Sequence, residues 1–190
     1  MLNEMGKAAR DAARFLNGAT TQQKNEALRS MAQELENQSG AILAANRQDT
    51  DRARQNGMTP SLLDRLTLSA DRIAAMADGI RQVASLPDPI GEVMDGFRRP
   101  NGLRIEKVRV PLGVIGIIYE ARPNVTSDAA ALCLKAGNAV ILRGGKEAIA
   151  SNTAIAGALR DGLKKAGLPA DAIGLIPDTS RETASALMRL

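Results

Sequence analysis

Two short polar clusters hold the residues of this sequence that could do chemistry. One is Glu120-Ala121-Arg122-Pro123-Asn124, and the other is Arg143-Gly144-Gly145-Lys146. Pro123 interrupts regular structure, so Glu120, Arg122 and Asn124 are expected on a tight loop. The Asn124 amide has two readings. It can donate an N–H to a developing oxyanion, or it can cap the helix that follows. In the second cluster two glycines let the backbone approach a ligand and expose amide N–H groups, and two cations flank them. Phosphate binding is one reading of that loop, and a tight turn is the other.

Neither cluster carries a familiar nucleotide fingerprint. Gly113-Val114-Ile115-Gly116 is not G-x-G-x-x-G, and Val140 stands where a G-x-x-x-x-G-K-[ST] loop needs its first glycine. The absence of histidine excludes Ser-His-Asp and Cys-His chemistry within these residues, and a histidine-ligated metal as well. No metal site is expected. Cys133, the one cysteine, falls on the apolar face of a helix and reads as a core residue, not a nucleophile. A single cysteine also rules out an internal disulfide and fits a reducing compartment. The net charge of +4 comes from dispersed residues, and only 2% of the 190 residues are aromatic. That composition argues against base stacking on nucleic acid. The local excess Arg98, Arg99, Arg104, Lys107 and Arg109 reads as a solvated strand face. No apolar leader opens the sequence and no membrane-length apolar run occurs in it, so a soluble, cytoplasmic protein with no membrane or nucleic-acid partner is expected.

The elements that must position the two clusters follow from periodicity. Residues 1–86 read as helices, with stripes at Met5, Ala8, Ala12, Phe15 and Leu16, at Leu28, Met31 and Leu35, and on to Ile42 and Leu43. The run from Asn46 to Gly57 reads as a solvated helix face. Thr59-Pro60 and Ser69 read as helix starts, the second with Ile73, Met76, Ala77, Ile80 and Val83 inward. Pro87-Asp88-Pro89 marks a boundary. From Gly91 to Val110 the pattern is a hairpin turning at Pro100-Asn101-Gly102, with a bulge expected where alternation slips at Glu106-Lys107. An arm of this kind needs a covering partner, which makes it a candidate oligomer contact.

Beyond Pro111 the pattern becomes α/β. Val114 to Tyr119 reads as a strand buried on both faces. Val125 to Ala136 reads as a helix with Ala129, Leu132, Cys133 and Ala136 on one face, ended by Gly137. Ala139 to Leu142 is the next strand, Ala148 to Ala166 a helix facing inward with Ile155, Leu159 and Leu163, and Ile173 to Ile176 a third strand. Thr179 with Glu182 reads as a capping box for a last helix. Both polar clusters then lie at strand C-termini, the edge where open parallel sheets bind ligands.

The segment PLGVIGIIYEARPNVTSDAAALCLKAGNAVILRGGKEA resembles the glutamate-5-semialdehyde dehydrogenase (γ-glutamyl phosphate reductase) branch of the aldehyde dehydrogenase superfamily. So do GKAARDAARFLNGATTQQKNEALRSMAQEL, ILAANRQD and LLDRLTLSADRIAAMADGIRQVASLPDPIGEV. The resemblance implies a fold: N-terminal helices with a partial Rossmann-like parallel sheet and a protruding β-hairpin arm. It divides the chain into a helical part of the cofactor-binding domain (1–89), an oligomerisation arm (90–110) and a βαβ part (111–190), with no catalytic domain. It also implies a reaction, the reduction of L-γ-glutamyl 5-phosphate by NADPH to L-glutamate 5-semialdehyde and phosphate in proline biosynthesis. In that chemistry a cysteine thiolate attacks the acyl phosphate and the thioester accepts hydride.

Carried onto this sequence, the resemblance makes Asn124 the oxyanion donor. Arg143 falls where relatives hold the adenine ribose with a lysine. Lys146 or Glu147 falls near an acidic ribose ligand of NAD-preferring relatives, and a cation there suits the 2′-phosphate of NADP(H). Gly144 and Gly145 join the cofactor loop, and Pro177-Asp178-Thr179 matches the loop before a helix that faces the pyrophosphate. Residues 90–110 imply a homo-oligomer, and glutamate 5-kinase is an implied partner. The family's nucleophilic cysteine lies beyond these residues, and Cys133 does not take its place. The expectation is a truncated enzyme, inactive alone. The other reading is a non-catalytic nucleotide-binding or assembly module of the same fold.

Overall fold

Three parallel strands lie at the centre of the molecule, and both polar clusters hang from their C-terminal ends. The computed structural model describes residues 1–190. Five helices come first: α1 (Leu2–Leu16), α2 (Thr21–Asn37), α3 (Ser39–Gln55), α4 (Pro60–Leu66) and α5 (Ala70–Ser85). An antiparallel pair follows, β1 (Val93–Arg98) and β2 (Arg104–Val108). Then come β3 (Val114–Ile118), α6 (Asn124–Lys135), β4 (Ala139–Arg143), α7 (Ile149–Lys165), β5 (Ile173–Leu175) and α8 (Arg181–Leu187). The strands lie in the order β3-β4-β5. No helix is long and apolar enough to cross a membrane.

Burial on both faces belongs to β4, not to β3. Ala139 to Leu142 are fully enclosed, with α1 on one face of the sheet and α6 and α7 on the other. β3 has no strand on its outer side, and Gly116 and Ile118 are exposed, with Leu187 of α8 lying 3.5 Å from the place a Gly116 Cβ would take. The uninterrupted apolar run of β3 therefore marks an edge strand here. Behind α7 lies a second helical layer in which α2 and α3 pack on α7, and α5 packs on α2. A Cβ on Gly162 would lie 2.5 Å from Met31 Cα, so α2 and α7 cross backbone against backbone. Leu28, Met31 and Leu35 are fully buried at that layer. Each such side chain contributes about 1.5–3 kcal/mol.

Several local expectations hold and several shift. Gly137 ends α6 with φ +71, and Ser69 Oγ accepts from Arg72 N at 3.1 Å. The inner face of α1 is Ala9, Ala12, Ala13 and Leu16, while Phe15 is 54% exposed. On α6, Leu132 points outward, because Ala130, Ala131 and Leu134 take the core side. The bulge lies at Met94, where the pairing steps from Val93–Val108 to Asp95–Lys107, opposite the place where alternation slips. Thr59 makes no side-chain cap bond, and the cap of α8 is Ser180 accepting from Thr183 N, one residue past the expected box at Thr179. Every residue of β1 and β2 is exposed, so the hairpin stands away from the body.

The Pro-Asp-Pro boundary does more than stop α5. Asp88 turns back to α2, where Lys24 Nζ lies 2.6 Å from its carboxylate and Thr21 Oγ1 donates to it at 2.7 Å. Next to this pair, the buried Lys135 ammonium donates to Asn25 at 2.6 Å and to the Ala84 carbonyl at 2.9 Å. Cys133 is a core residue, and burial pushes its thiol up to about 11. A thiolate-selective disulfide reagent at pH 8 should leave the folded chain unlabelled and modify one thiol after denaturation. Rapid labelling under native conditions would contradict this placement.

Candidate functional site

Pairing of β3 with β4 runs from Val114–Ala139 to Ile118–Arg143, and Tyr119 N extends the ladder by donating to Arg143 O at 3.0 Å. The chain therefore leaves both strands side by side, and Glu120-Ala121 meets Gly144-Gly145. A Cβ on Gly145 would sit 3.2 Å from Ala121 N and 3.3 Å from the Glu120 carbonyl carbon. A Cβ on Gly144 would sit 3.1 Å from the Tyr119 ring and would overlap the Asn152 amide. Packing within the chain thus accounts for both glycines, and Gly145 needs no unusual backbone, at φ −63 and ψ 151. Beneath the loop, Thr126 Oγ1 donates to Asn152 Oδ1 at 3.1 Å, so the Tyr119 hydroxyl, 2.7 Å away, donates to Thr126. Burial pushes the Tyr119 phenol up, against the pull of Thr126.

The N-terminus of α7 is not open to a phosphate. Asp49 of α3 fills it, accepting from Ser151 N and Ser151 Oγ at 2.7 Å each and from Ala150 N at 3.3 Å. Asn46, one turn earlier, donates to Leu66 O at 2.8 Å and Ser151 Oγ at 3.0 Å, and accepts from Leu68 N at 2.8 Å. Asn46, Asp49 and Thr50 are all buried, which corrects the reading of 46–57 as a solvated face. A helix N-terminus favours an anion, and here the chain supplies its own carboxylate. A signal for this was present in the sequence: Ile42, Asn46, Asp49 and Ala53 follow one helical stripe, and all four are buried.

The remaining site residues line a groove across the strand ends. One part, about 670 Å³, is bounded by Arg52, Lys146, Glu147 and Thr179; the next, about 440 Å³, by Glu120, Arg122, Arg143, Gly145 and Glu147. Met58, Leu62 and Glu147 belong to both, so α4 and the turn before it form a common wall. Sequence reasoning did not foresee this wall. Lys146 is exposed and makes no ion pair. The Glu147 carboxylate folds back to within 2.9 Å of the place a Gly145 Cβ would take. Arg143 turns the other way and donates to the carbonyls of Thr179 and Ser180, the second at 3.2 Å. It therefore fixes the loop between β5 and α8 and is not a free cation. In that loop the Asp178 carboxyl is held below its ordinary value by the hydroxyl of Thr183 in α8, then by the Ser180 N–H and hydroxyl.

Asn124 opens α6, but its side chain caps nothing, since Pro123 occupies the cap position. Its amide donates to Asp128 Oδ2 at 3.0 Å. Partial desolvation pushes the Asp128 carboxyl up, and the Asn124 amide pulls it back. Both residues face a third cavity, about 480 Å³, together with Asp64, Arg65, Arg72 and Arg122.

Residues 2–190 match the aldehyde dehydrogenase family. The chain is 55% identical over 186 residues to a protein named gamma-glutamyl phosphate reductase from Carboxydothermus hydrogenoformans, covering 98% of this chain and 45% of that one. A protein of the same name from Heliobacterium modesticaldum is 57% identical over 189 residues, covering 100% and 45%. The crystal structure of gamma-glutamyl phosphate reductase from Thermotoga maritima superposes with a TM-score of 0.98 at 45% identity, covering 100% of this chain and 46% of that chain. An acetylating aldehyde dehydrogenase from Geobacillus thermoglucosidasius shares the fold at a TM-score of 0.72 and 17% identity, covering 98% and 38%. This chain spans about 45% of the length of the curated relatives it matches. With helices, parallel sheet and projecting hairpin all matched from end to end, the chain belongs to the aldehyde dehydrogenase family.

Proposed function

We propose that this chain is the cofactor-binding part of a γ-glutamyl phosphate reductase. Such an enzyme reduces L-γ-glutamyl 5-phosphate with NADPH to L-glutamate 5-semialdehyde and phosphate, in proline biosynthesis. The observation that carries the reading is the groove at the β3 and β4 ends, with an outward, unpaired Lys146, in a chain 55–57% identical to proteins of that name. Lys146 fits the 2′-phosphate of NADPH, since Glu147 is turned onto its own loop and Arg143 is occupied. Thr179 offers a hydroxyl across the same cavity, and Arg143 keeps its loop in place. Bound NADPH supplies hydride. Asn124 would turn its amide from Asp128 to the developing oxyanion. Cys133, buried and protonated, takes no part, so the thiol for acyl transfer must come from another part of the protein. The chain alone is expected to give no turnover. The exposed hairpin, with Val93, Met94, Phe97, Leu103 and Ile105 outward, supports a homo-oligomer contact.

Titration of the chain with NADPH and NADH, followed by nicotinamide fluorescence, tests the cofactor reading. NADPH should bind, and Lys146→Gln should weaken it about tenfold or more while leaving NADH nearly unchanged, the effect of one lost charged contact. Absence of NADPH binding, or equal losses for both cofactors, would overturn it.

A further inference from the structure

The 440 and 480 Å³ cavities share two residues only, Arg65 and Arg122. Arg65 comes from the last turn of α4, and Arg122 from the loop after β3. They are far apart in sequence, yet the fold sets both on the rim between the cofactor groove and the Asn124 cavity. Neither makes an ion pair or a side-chain hydrogen bond within the chain, whereas Arg72 in the same cavity is tied to Asp64 at 2.9 Å. Asp128, the other carboxylate there, accepts the Asn124 amide at 3.0 Å. With Asp64 cancelled by Arg72, two guanidinium groups and one carboxylate face this cavity. On the other side, the 440 Å³ cavity adds Glu120 and Glu147, of which Glu147 is turned onto Gly145. Two unpaired, planar, five-donor groups that line the same two cavities from separate elements suit a tetrahedral dianion that each can grip with two N–H bonds.

We propose that Arg65 and Arg122 form a phosphate site distinct from the cofactor contacts at Lys146, and that it holds the phosphoryl group of an acyl phosphate substrate beside Asn124. This rests on the functional reading above and adds to it the residues that recognise the substrate's leaving group. Asn124 lies in the same cavity, so a phosphoryl group held there brings its acyl carbon toward the amide. The apolar atoms of Leu68 and Met76 on the cavity wall suit an aliphatic acyl chain. Two cations also favour departure of phosphate, because they stabilise the charge it gains as the acyl–oxygen bond breaks.

The test uses inorganic phosphate as the probe, with calorimetry on the 190-residue chain at constant ionic strength. Wild type should bind phosphate. Arg65→Gln and Arg122→Gln should each weaken it about tenfold or more, and the double variant should abolish it, given what one charged hydrogen-bonding partner contributes. Arg→Lys at either position should lose less than Gln, since charge stays and the fork goes. Free glutamate, a carboxylate probe, should bind far more weakly than phosphate. Both arginines are exposed and unpaired, so melting temperatures without ligand should stay close to wild type; a large drop would mean a structural role and would overturn the assignment. Equal phosphate affinity in wild type and double variant would sink the proposal, as would an equal loss in Lys146→Gln. NADPH titration of the same variants separates the two readings. If the arginine variants keep NADPH and lose phosphate, both stand. If wild type binds phosphate through the arginines but not NADPH, the cofactor reading alone fails.

Discussion

Replacing Asp88 with Asn should cost the folded chain about 3–5 kcal/mol, the usual consequence of removing one partner from a buried ion pair. Lys24 is 2% exposed and its ammonium lies 2.6 Å from the Asp88 carboxylate. Lys135, equally buried, is disfavoured first by desolvation, and its charge is supported by Asp88 and opposed by Lys24 and Arg29. One carboxylate therefore serves two enclosed ammonium groups, and the loss of its charge leaves both facing each other. Burial is the largest single influence on the Asp88 carboxyl and pushes it up. Lys24, Thr21 and the Ile90 N–H together more than reverse that, and the carboxyl is held below its ordinary value. A lowered native value means the stabilisation is complete above the unfolded value, about 3.9, and is lost as pH falls below that through the native one. Urea denaturation of wild type and Asp88→Asn at pH 7 and at pH 3 reads both effects. The gap between the two proteins should be widest at pH 7 and should narrow in acid. A gap under about 1 kcal/mol at pH 7 would show that the pair is not what holds the boundary segment to α2. The double variant Lys24→Met, Asp88→Leu should recover only part of the loss, because it removes the Lys24 charge but leaves the buried Lys135 ammonium without the carboxylate that supports it.

The sequence made the α/β order and the position of both polar clusters legible, because local signals decide them. Gly137 needed a positive φ to end α6, Pro87 and Pro89 could not continue α5, and the β4 run of Ala139 to Leu142 is apolar because both its faces are covered. What was not legible depends on which parts meet in space. The apolar run of β3 is as continuous as that of β4, yet only strand order tells that β3 is an edge. The glycines of the Arg143–Lys146 loop look like ligand cradles in sequence, but Tyr119 and Ala121 approach them from the end of β3, and Asn152 from the first turn of the helix that follows. Arg143 and Lys146 have the same sign and nearly the same place. One is spent on the carbonyls of Thr179 and Ser180 and the other is free, a difference fixed by a loop 36 residues away. The wall made by Met58, Leu62 and Arg65 belongs to the site for the same reason.

The sharpest case of a long-range decision is Asp49, and its removal should have the second large effect. Three backbone or hydroxyl hydrogens of the first turn of α7 point at its carboxylate, which is 1% exposed. A lost cap costs about 0.5–2 kcal/mol, and hydrogen bonds to a charged, buried acceptor contribute about 1.5–3 kcal/mol each. Asp49→Ala should therefore destabilise by about 3 kcal/mol, seen as a lower denaturation midpoint with an unchanged slope. Asp49→Asn should lose less. It keeps one acceptor for Ser151 N but gives up the charge that the helix N-terminus favours. Because Ser151 Oγ donates to Asp49 and accepts from Asn46, Ser151→Ala combined with Asp49→Ala should cost less than the two separate losses added together. Additive losses would place the effect in the cavity left behind and not in the hydrogen-bond network. The same substitution tests why the loop before α7 is ordered. Lys146 begins the turn that leads directly into this capped helix, so amide exchange at 146–152 should rise in Asp49→Ala while exchange in α2 tracks global stability alone. If the loop keeps its protection without the carboxylate, its order comes from the packing of Gly144 and Gly145 against Tyr119 and Ala121, and the cap serves only the helix.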